Sequence, residues 1–331
     1  MKKIIALLLT LILLFSMGAM ISCGDKTQLK VGFLNGPTGI GMAELIADNG
    51  GLDGNERYYF EKIGDTNDAA AALKSGKLDV VCLPTNEAAK IYNNEDIGID
   101  VQVLAINCLN SLYVVAKSEL EINSFADLEG KTVYTCKNGT PKIILNKLIN
   151  EYGLNVTVKT ELGEGDSATV INKPQDLPAV IISGKADIVV APEPIVTNAI
   201  LKNSAYSVKV DLGAVWDAKY STPLAMGCIV ARKDFVDEHK SVIDSFLEDY
   251  EESVNFMSNP ENIDLASHYS VQAGIMEALP AAKKAISNLG NSIAYLDGED
   301  MKNTLVNVYN AFGLPVIGGK LPENDFYYDE K

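Results

Sequence analysis

Two stretches of the chain share one pattern of apolar and polar positions. The first is AALKSGKLDVVCLPTN (Ala71–Asn86), the second is AVIISGKADIVVAPEP (Ala179–Pro194), and matching positions lie 108 residues apart. Each copy reads as the end of a helix, a turn with Gly and Asp, an apolar run of strand length, and a Pro. Gly takes the left-handed position after a helix at little cost, and Pro cannot continue a central strand. The pattern therefore predicts half of a parallel α/β layer, twice.

A second and weaker sequence similarity precedes each copy of this pattern. The strand pattern LKVGFL leads into the loop Asn35–Gly39, and KTVYTC leads into NGTP at 138–141; a helical pattern follows both. Thr and Pro suit the cap and first turn of a helix, so each loop should present free backbone N–H groups. We therefore predict two lobes of similar plan, with Asn35 and Asn138 facing a common cleft. The alternative is that these similarities are a coincidence between ordinary α/β turns, although the two similarities occur in the same order in both halves of the chain.

The apolar runs along the rest of the chain set the order of the lobes. We assign residues 23–117 to the first part of lobe 1, residues 118–221 to lobe 2, and residues 222–331 to the return into lobe 1 and the C-terminal helices. Two similar runs, Leu112–Lys117 and Gly227–Arg232, are interpreted as strands that cross between the lobes. The predicted fold class is α/β, in which each lobe is a mostly parallel sheet flanked by helices.

Residues 1–22 have the composition of a secretory signal peptide. Two lysines precede an apolar run from Ile4 to Phe15, which is too short for a confident membrane span. The segment ends at Cys23 in a pattern that looks like a lipobox, where the Cys becomes the acylated N-terminus. We expect an exported monomer, attached to the membrane by a lipid on Cys23, on the outer face of the cytoplasmic membrane or in the periplasm. A retained anchoring helix is the alternative.

The charge of the chain argues against one class of partner. The formal net charge is −16, and removal of residues 1–22 with their two lysines makes it −18. An acidic exported protein without a basic stripe cannot neutralise phosphates, so nucleic acid is not an expected partner. High negative charge favours solubility and says little about the ligand of a pocket.

Residues that could carry covalent or metal chemistry are few. Four cysteines follow Cys23, and each lies in or beside an apolar run, so buried free thiols are expected, although export would permit a disulfide. They are Cys82, Cys108, Cys136 and Cys228. The two histidines are isolated, so no metal site and no cofactor are predicted. No GxSxG, GxxxxGK[ST] or HExxH pattern occurs, and we do not expect an enzyme.

Candidate ligand-binding residues are more numerous than candidate catalytic or metal-binding residues. They lie in the loops beyond the carboxyl ends of the strands, where ligands of open parallel sheets bind. The loops there hold small neutral side chains, several at helix N-termini whose N–H groups bind anions or carbonyl groups. The candidate ligand-binding residues are Asn35, Gly36, Pro37, Thr38, Gly39, Thr85, Asn86, Asn110, Asn138, Gly139, Thr140 and Glu193. The two arginines of the chain lie outside these loops, so a bidentate carboxylate clamp is not predicted. Glu193, the only acid among these loops, either accepts from an amino group of the ligand or stabilises the next helix.

Taken in order, these motifs resemble a known family. The lipobox, the NGPTG loop, SGKLDVV, the DLEGKTV turn with NGTP, SGKADIVVAPEP and GCIVARKDF are similar to bacterial ABC-importer substrate-binding lipoproteins. The most similar branch contains the nitrate, taurine or aliphatic-sulfonate, and thiamine-pyrimidine-precursor binding proteins. The resemblance covers essentially all of residues 23–325.

The resemblance implies a type II periplasmic-binding-protein fold, whose two lobes close on a small solute and deliver it to a permease with a cytoplasmic ATPase. It also implies that the candidate loops face the ligand, while the identity of the solute stays open among sulfonate, nitrate and aminopyrimidine-like molecules. Glu193 slightly favours a ligand with an amino group. Two alternatives remain: a pyrimidine-precursor synthase-like enzyme on the same fold, and a sensor or scaffold ectodomain.

Overall fold

The computed structural model describes residues 27–34, 36–163 and 168–329. The predicted signal peptide, Cys23 and Asn35 lie outside these residues. The strands are β1 (Leu29–Leu34), β2 (Tyr58–Ile63), β3 (Val80–Pro84), β4 (Val101–Leu109), β5 (Leu112–Lys117), β6 (Thr132–Tyr134), β7 (Thr157–Lys159), β8 (Glu161–Leu162), β9 (Thr169–Val170), β10 (Ile188–Pro192), β11 (Tyr206–Asp211), β12 (Ala225–Arg232) and β13 (Ile293–Leu296). The α-helices are α1 (Pro37–Ile40), α2 (Ala43–Asp48), α3 (Thr66–Lys74), α4 (Thr85–Asn93), α5 (Thr140–Tyr152), α6 (Leu177–Ser183), α7 (Ile195–Lys202), α8 (Leu212–Tyr220), α9 (Lys233–Glu238), α10 (Lys240–Ser258), α11 (Ile263–Gln272), α12 (Leu279–Leu289) and α13 (Gly298–Phe312).

The strands form two larger sheets, one in each lobe. The first has the order β13-β4-β12-β3-β1-β2 and the second has the order β11-β5-β10-β6-β7. In the first sheet β1 pairs in parallel with β2 and β3, while β12 is antiparallel to β3 and β4. In the second sheet β5 is antiparallel to β10 and β11, while β6 is parallel to β10 and β7. Most strands of each sheet therefore run in one direction, which confirms the predicted two-lobed α/β class.

The first crossing between the lobes differs from the sequence assignment. Leu112–Lys117, placed in lobe 1 by the boundary at residue 117, is β5 and pairs within the second sheet. The chain leaves the first sheet at Asn110, whose N–H donates to the Leu224 carbonyl over 3.0 Å and whose Oδ1 accepts from the Leu224 N–H over 2.8 Å. An apolar run of strand length fits either sheet equally well, so only the pairing shows which sheet it joins.

Both repeated patterns fold as predicted. Gly76 and Gly184 follow α3 and α6 with φ values of 69° and 68°, the left-handed conformation expected after a helix. Gly36 and Gly139 precede α1 and α5 with φ values of 133° and 108°, also in the region that glycine tolerates best. The two lobes therefore share the local backbone conformations that their matching residues predicted.

The C-terminal helices cover lobe 1. Helices α9 to α12 pack on one face of the first sheet in a hydrophobic cluster that includes Phe246 and Tyr250. Helix α13 lies in a second cluster that contains residues of both lobes, and its Phe312 ring meets Trp216 of α8 edge to face, with centroids 5.5 Å apart. In the described ranges, all helices are too short or too polar to cross a membrane. The four cysteines after Cys23 are buried free thiols, as expected.

Candidate functional site

The carboxyl ends of strands from both sheets meet at one cleft of about 980 Å³. Leu34, Pro84 and Pro192, the last residues of β1, β3 and β10, line its walls. Pro84 and Pro192 occupy matching positions of the internal repeat. The cleft thus lies where open parallel sheets bind their ligands, with equivalent contributions from the two lobes.

The lobe 2 wall is built around the start of α5. Asn138, Gly139 and Thr140 line the cleft, and their contact with a ligand stays a prediction. The backbone there is held by Asn172, whose carbonyl accepts from the Asn138 N–H over 3.0 Å and whose Oδ1 accepts from Asn138 Nδ2, also over 3.0 Å. These bonds fix the Asn-Gly turn before the helix, so its position does not depend on a ligand.

The lobe 1 wall carries the other predicted loop. Gly36, Pro37 and Thr38 line the cleft. The Thr38 carbonyl accepts from Asn107 Nδ2 over 3.0 Å, which ties the loop to the end of β4. The close approach of Gly227 also restricts Thr38, because a Cβ at Gly227 would lie 2.3 Å from Thr38 Cγ2.

Four predicted site residues are placed outside the cleft lining. Gly39 is buried in α1, where a Cβ would lie 2.8 Å from the Leu34 carbonyl oxygen. Thr85 begins α4 rather than a loop, and its Oγ1 donates to the Ala225 carbonyl over 2.8 Å. The Asn86 side chain is fully buried, and Asn110 holds the crossing described above. The sequence could not show this, because small polar residues serve equally well as ligand contacts and as internal hydrogen-bond partners.

Glu193 lines the cleft, yet protein groups already use its carboxylate. Its side chain is 1% exposed. Oε2 accepts from the Thr197 N–H over 3.0 Å, and Oε1 accepts from Thr197 Oγ1 over 2.8 Å and from Asn288 Nδ2 over 3.0 Å. Burial raises the pKa of Glu193, while the Asn288 and Thr197 hydrogen bonds oppose that shift. Of the two interpretations, these contacts favour stabilisation of the α7 N-terminus, and Asn288 adds a link from α12.

The cleft is more charged than the sequence analysis expected. Five lysines line it, and Glu193 is joined there by three other acids. The lysines are Lys62, Lys90, Lys137, Lys142 and Lys173, and the added acids are Asp65, Glu87 and Glu277. Lys137 and Lys142 flank the NGTP motif and could have been found from it. The contributions of Lys173 and of the segment 274–277 depend on tertiary contacts alone.

The thiol and hydroxyl at the base of the cleft form a pair. Cys108 Sγ lies 3.3 Å from Ser111 Oγ, and both residues line the cavity. Burial raises the pKa of Cys108 to about 12, so the thiol stays protonated and is a weak nucleophile at neutral pH. Across the described ranges, no group of three or more His, Cys, Asp or Glu side chains could hold a metal ion. The arrangement is suited to binding through hydrogen bonds and charge.

The sequence profile of the family described as NMT1/THI5 like matches residues 59–263. No curated protein matches the chain.

Solved structures share the fold over most of the chain. An ABC transporter protein from Parabacteroides distasonis is 21% identical with a TM-score of 0.74, covering 92% of this chain and 100% of its own. The periplasmic aliphatic sulphonate binding protein SsuA from Escherichia coli is 14% identical with a TM-score of 0.64, covering 86% and 87%. The periplasmic nitrate-binding protein NrtA from Synechocystis PCC 6803 is 13% identical with a TM-score of 0.62, covering 84% and 75%. Two of these three neighbours are named as periplasmic binding proteins, and the shared fold agrees with the expected type II fold.

Proposed function

We propose that this chain, which belongs to the NMT1/THI5-like family, is the solute-binding component of an ABC importer. It captures a small organic or oxyanionic solute in the cleft between its lobes and delivers it to a permease with a cytoplasmic ATPase. One observation carries this proposal: the strand carboxyl ends of both sheets, including the equivalent Pro84 and Pro192, converge on a single cavity.

Capture proceeds by closure of the lobes. Each lobe offers half of the site, with Gly36–Thr38 on one wall and Asn138–Thr140 on the other. A solute that touches both walls binds the closed state more tightly than the open one, and therefore shifts the population toward closure. The chain crosses between the lobes near Asn110 and Leu224, and these crossings can act as the hinge.

The solute class is supported by the chemistry of the cleft and by its structural neighbours. The Escherichia coli and Synechocystis neighbours are named for aliphatic sulphonate and nitrate. Lys137, Lys142 and Lys173 line the cleft and form no ion pair with other described residues. These lysines and the start of α5 suit such oxyanions, and hydrogen-bonding groups on both walls also suit an aminopyrimidine-like solute. Because Glu193 already accepts three hydrogen bonds, the structure gives less weight to an amino group bound there.

The cellular setting follows from the N-terminal sequence. We propose that residues 1–22 direct export and that a lipid on Cys23 tethers a monomer to the membrane, so that the cleft faces the extracytoplasmic space. The chain then acts in transport and not as an enzyme. Burial raises the pKa of Cys108, so this thiol is not activated for nucleophilic attack.

A thermal-shift screen with sulfonates, nitrate and aminopyrimidines tests the proposal, because tight binding raises apparent stability. The best binder should also reduce the radius of gyration in small-angle X-ray scattering as the lobes close. Binding without any change in shape would contradict capture by closure. Steady chemical turnover of a bound molecule would instead favour the enzyme alternative.

A further inference from the structure

Three lysines converge on the lobe 2 wall of the cleft. Lys137 directly precedes the Asn-Gly turn, and Lys142 lies in the first turn of α5. The backbone brings Lys173 to the same place, because the Lys137 N–H donates to the Ile171 carbonyl over 2.7 Å and the Asn138 N–H donates to the Asn172 carbonyl. All three residues line the cavity, although Lys173 follows Lys142 by 31 positions in the chain.

The acids of the cleft do not neutralise these lysines. Glu87 Oε1 pairs with Lys90 Nζ at 2.8 Å, and Glu277 pairs with Lys202 at 3.6 Å. Asp65 caps α3, where its Oδ1 accepts from the N–H groups of Asn67 and Asp68. Glu193 is occupied as described above.

Lys137, Lys142 and Lys173, by contrast, form no ion pair within residues 27–34, 36–163 and 168–329. Each acid in the cleft therefore has an internal partner, whereas the three lysines have no anionic partner among the residues that the structure describes. Asp176 lies beside Lys173, but its Oδ2 accepts from the backbone N–H groups of Asn172 and Lys173 over 2.8 and 3.0 Å, so three lysines remain without an ion pair on this wall. This lysine cluster stands out because the chain as a whole has a formal net charge of −16.

Lobe closure makes the excess positive charge of the lysines energetically unfavourable unless a ligand balances it. While the cleft is open, water solvates the ammonium groups, but closure removes part of that water and makes unpaired charges costly. A solute with one negative charge would leave most of the cluster uncompensated. On the premise of the proposed function, we propose that the transported solute is a small organic dianion, which binds Lys137, Lys142 and Lys173 with its doubly charged end.

Matched probes test the charge requirement. Ethyl phosphate and ethanesulfonate are similar in size, but at pH 8 the phosphate ester carries close to two negative charges, because its second pKa is about 6. Isothermal titration calorimetry at low salt should show that ethyl phosphate binds at least about tenfold more tightly than ethanesulfonate. The pair 1,2-ethanedisulfonate and ethanesulfonate repeats the comparison without phosphate chemistry.

A variant and a matched control locate the effect. Lys173→Gln should weaken ethyl phosphate binding about tenfold and ethanesulfonate binding by much less. Lys185→Gln removes the same charge from an exposed position of lobe 2 outside the cleft, and should change neither affinity. Circular dichroism and the melting temperature show whether each variant is folded, and Lys137→Gln serves as a second test of the cluster.

The outcomes separate this inference from the proposed function. Equal affinity for the monoanion and dianions would overturn the dianion inference, while closure around ethanesulfonate would still support solute capture. Failure of both dianions to bind would also overturn the inference. In that case the proposed function depends on its own screen, which includes neutral aminopyrimidines.

Discussion

Thr140 Oγ1 donates a hydrogen bond to Asn86 Oδ1 over 3.2 Å, from the start of α5 in lobe 2 to the start of α4 in lobe 1. Thr140 is 5% exposed and Asn86 is fully buried. Both residues are predicted ligand contacts, and in the structure their side chains also bond to each other. The bond joins the two lobes beside the cleft, so part of the predicted site acts between the lobes.

Replacement of Thr140 by Val tests this link. The substitution keeps the shape but removes the donor to Asn86 Oδ1, and loss of a buried hydrogen bond costs about 1–3 kcal/mol. We expect the free energy of unfolding, measured in urea, to fall by that amount, and scattering to show a more open molecule. Thr157→Val, at an exposed position of β7, should change neither quantity. An unchanged radius of gyration in Thr140→Val would show that the bond does not hold the lobes together.

Replacement of Asn138 by Ala tests the lobe 2 wall. The variant loses the side-chain bond to Asn172 and any bond from this amide to the solute. We expect solute affinity to weaken by about 1–3 kcal/mol for each buried hydrogen bond lost, measured by titration calorimetry. Asn150→Ala, near the far end of the same helix and exposed, is the control. Equal affinities in the two variants would remove Asn138 from the site.

Replacement of Gly227 by Ala tests how β12 supports the lobe 1 wall. The new Cβ would lie 2.3 Å from Thr38 Cγ2 and 2.7 Å from Asn107 Oδ1, so the Thr38 and Asn107 side chains must shift. Overpacking of this kind costs about 1–3 kcal/mol, and a displaced Thr38 should also weaken solute binding. Gly64→Ala is the control, because its new Cβ would meet only the mobile carboxylate end of Asp68. A stable variant with full affinity would mean that Thr38 adjusts without loss.

Glu44 should make stability depend on pH. Burial, followed by the nearby charge of Asp48, raises the pKa of Glu44 from 4.5 to about 7. Between these values the folded state holds a proton that the unfolded state has lost, so stability falls as pH rises from about 4.5 to about 7. Above that range the unfavourable contribution is complete and no longer changes with pH.

Glu44→Gln removes this contribution, because the side chain can no longer ionise. Urea unfolding at pH 5 and pH 8 should show a smaller loss of stability in the variant than in the wild type. Glu56→Gln, at an exposed position of the same lobe, should leave the wild-type difference unchanged. A pH profile that is identical in Glu44→Gln and wild type would contradict the raised pKa.

The sequence by itself determined the local structural features, such as helix ends and strand ends, and their order along the chain. Gly76 and Gly184 adopt the predicted left-handed conformation, and Pro84 and Pro192 end the predicted strands. These features are set by covalent geometry and by short-range hydrogen bonds, so a few neighbouring residues suffice to predict them. The two-lobed α/β class followed from the repeat of that local plan.

Only the tertiary structure decided which sheet β5 joins, that Thr140 and Asn86 bond to each other, and that Lys173 lies beside Lys137. Each of these facts pairs groups distant in the chain, and the same side chain can bind a neighbour, a ligand or water. The choice depends on which partner the packing brings within hydrogen-bond distance. The local sequence pattern does not determine the distance between groups that are far apart in the chain. The positions of the loops could therefore be predicted from the sequence, whereas the charge of the cleft could not.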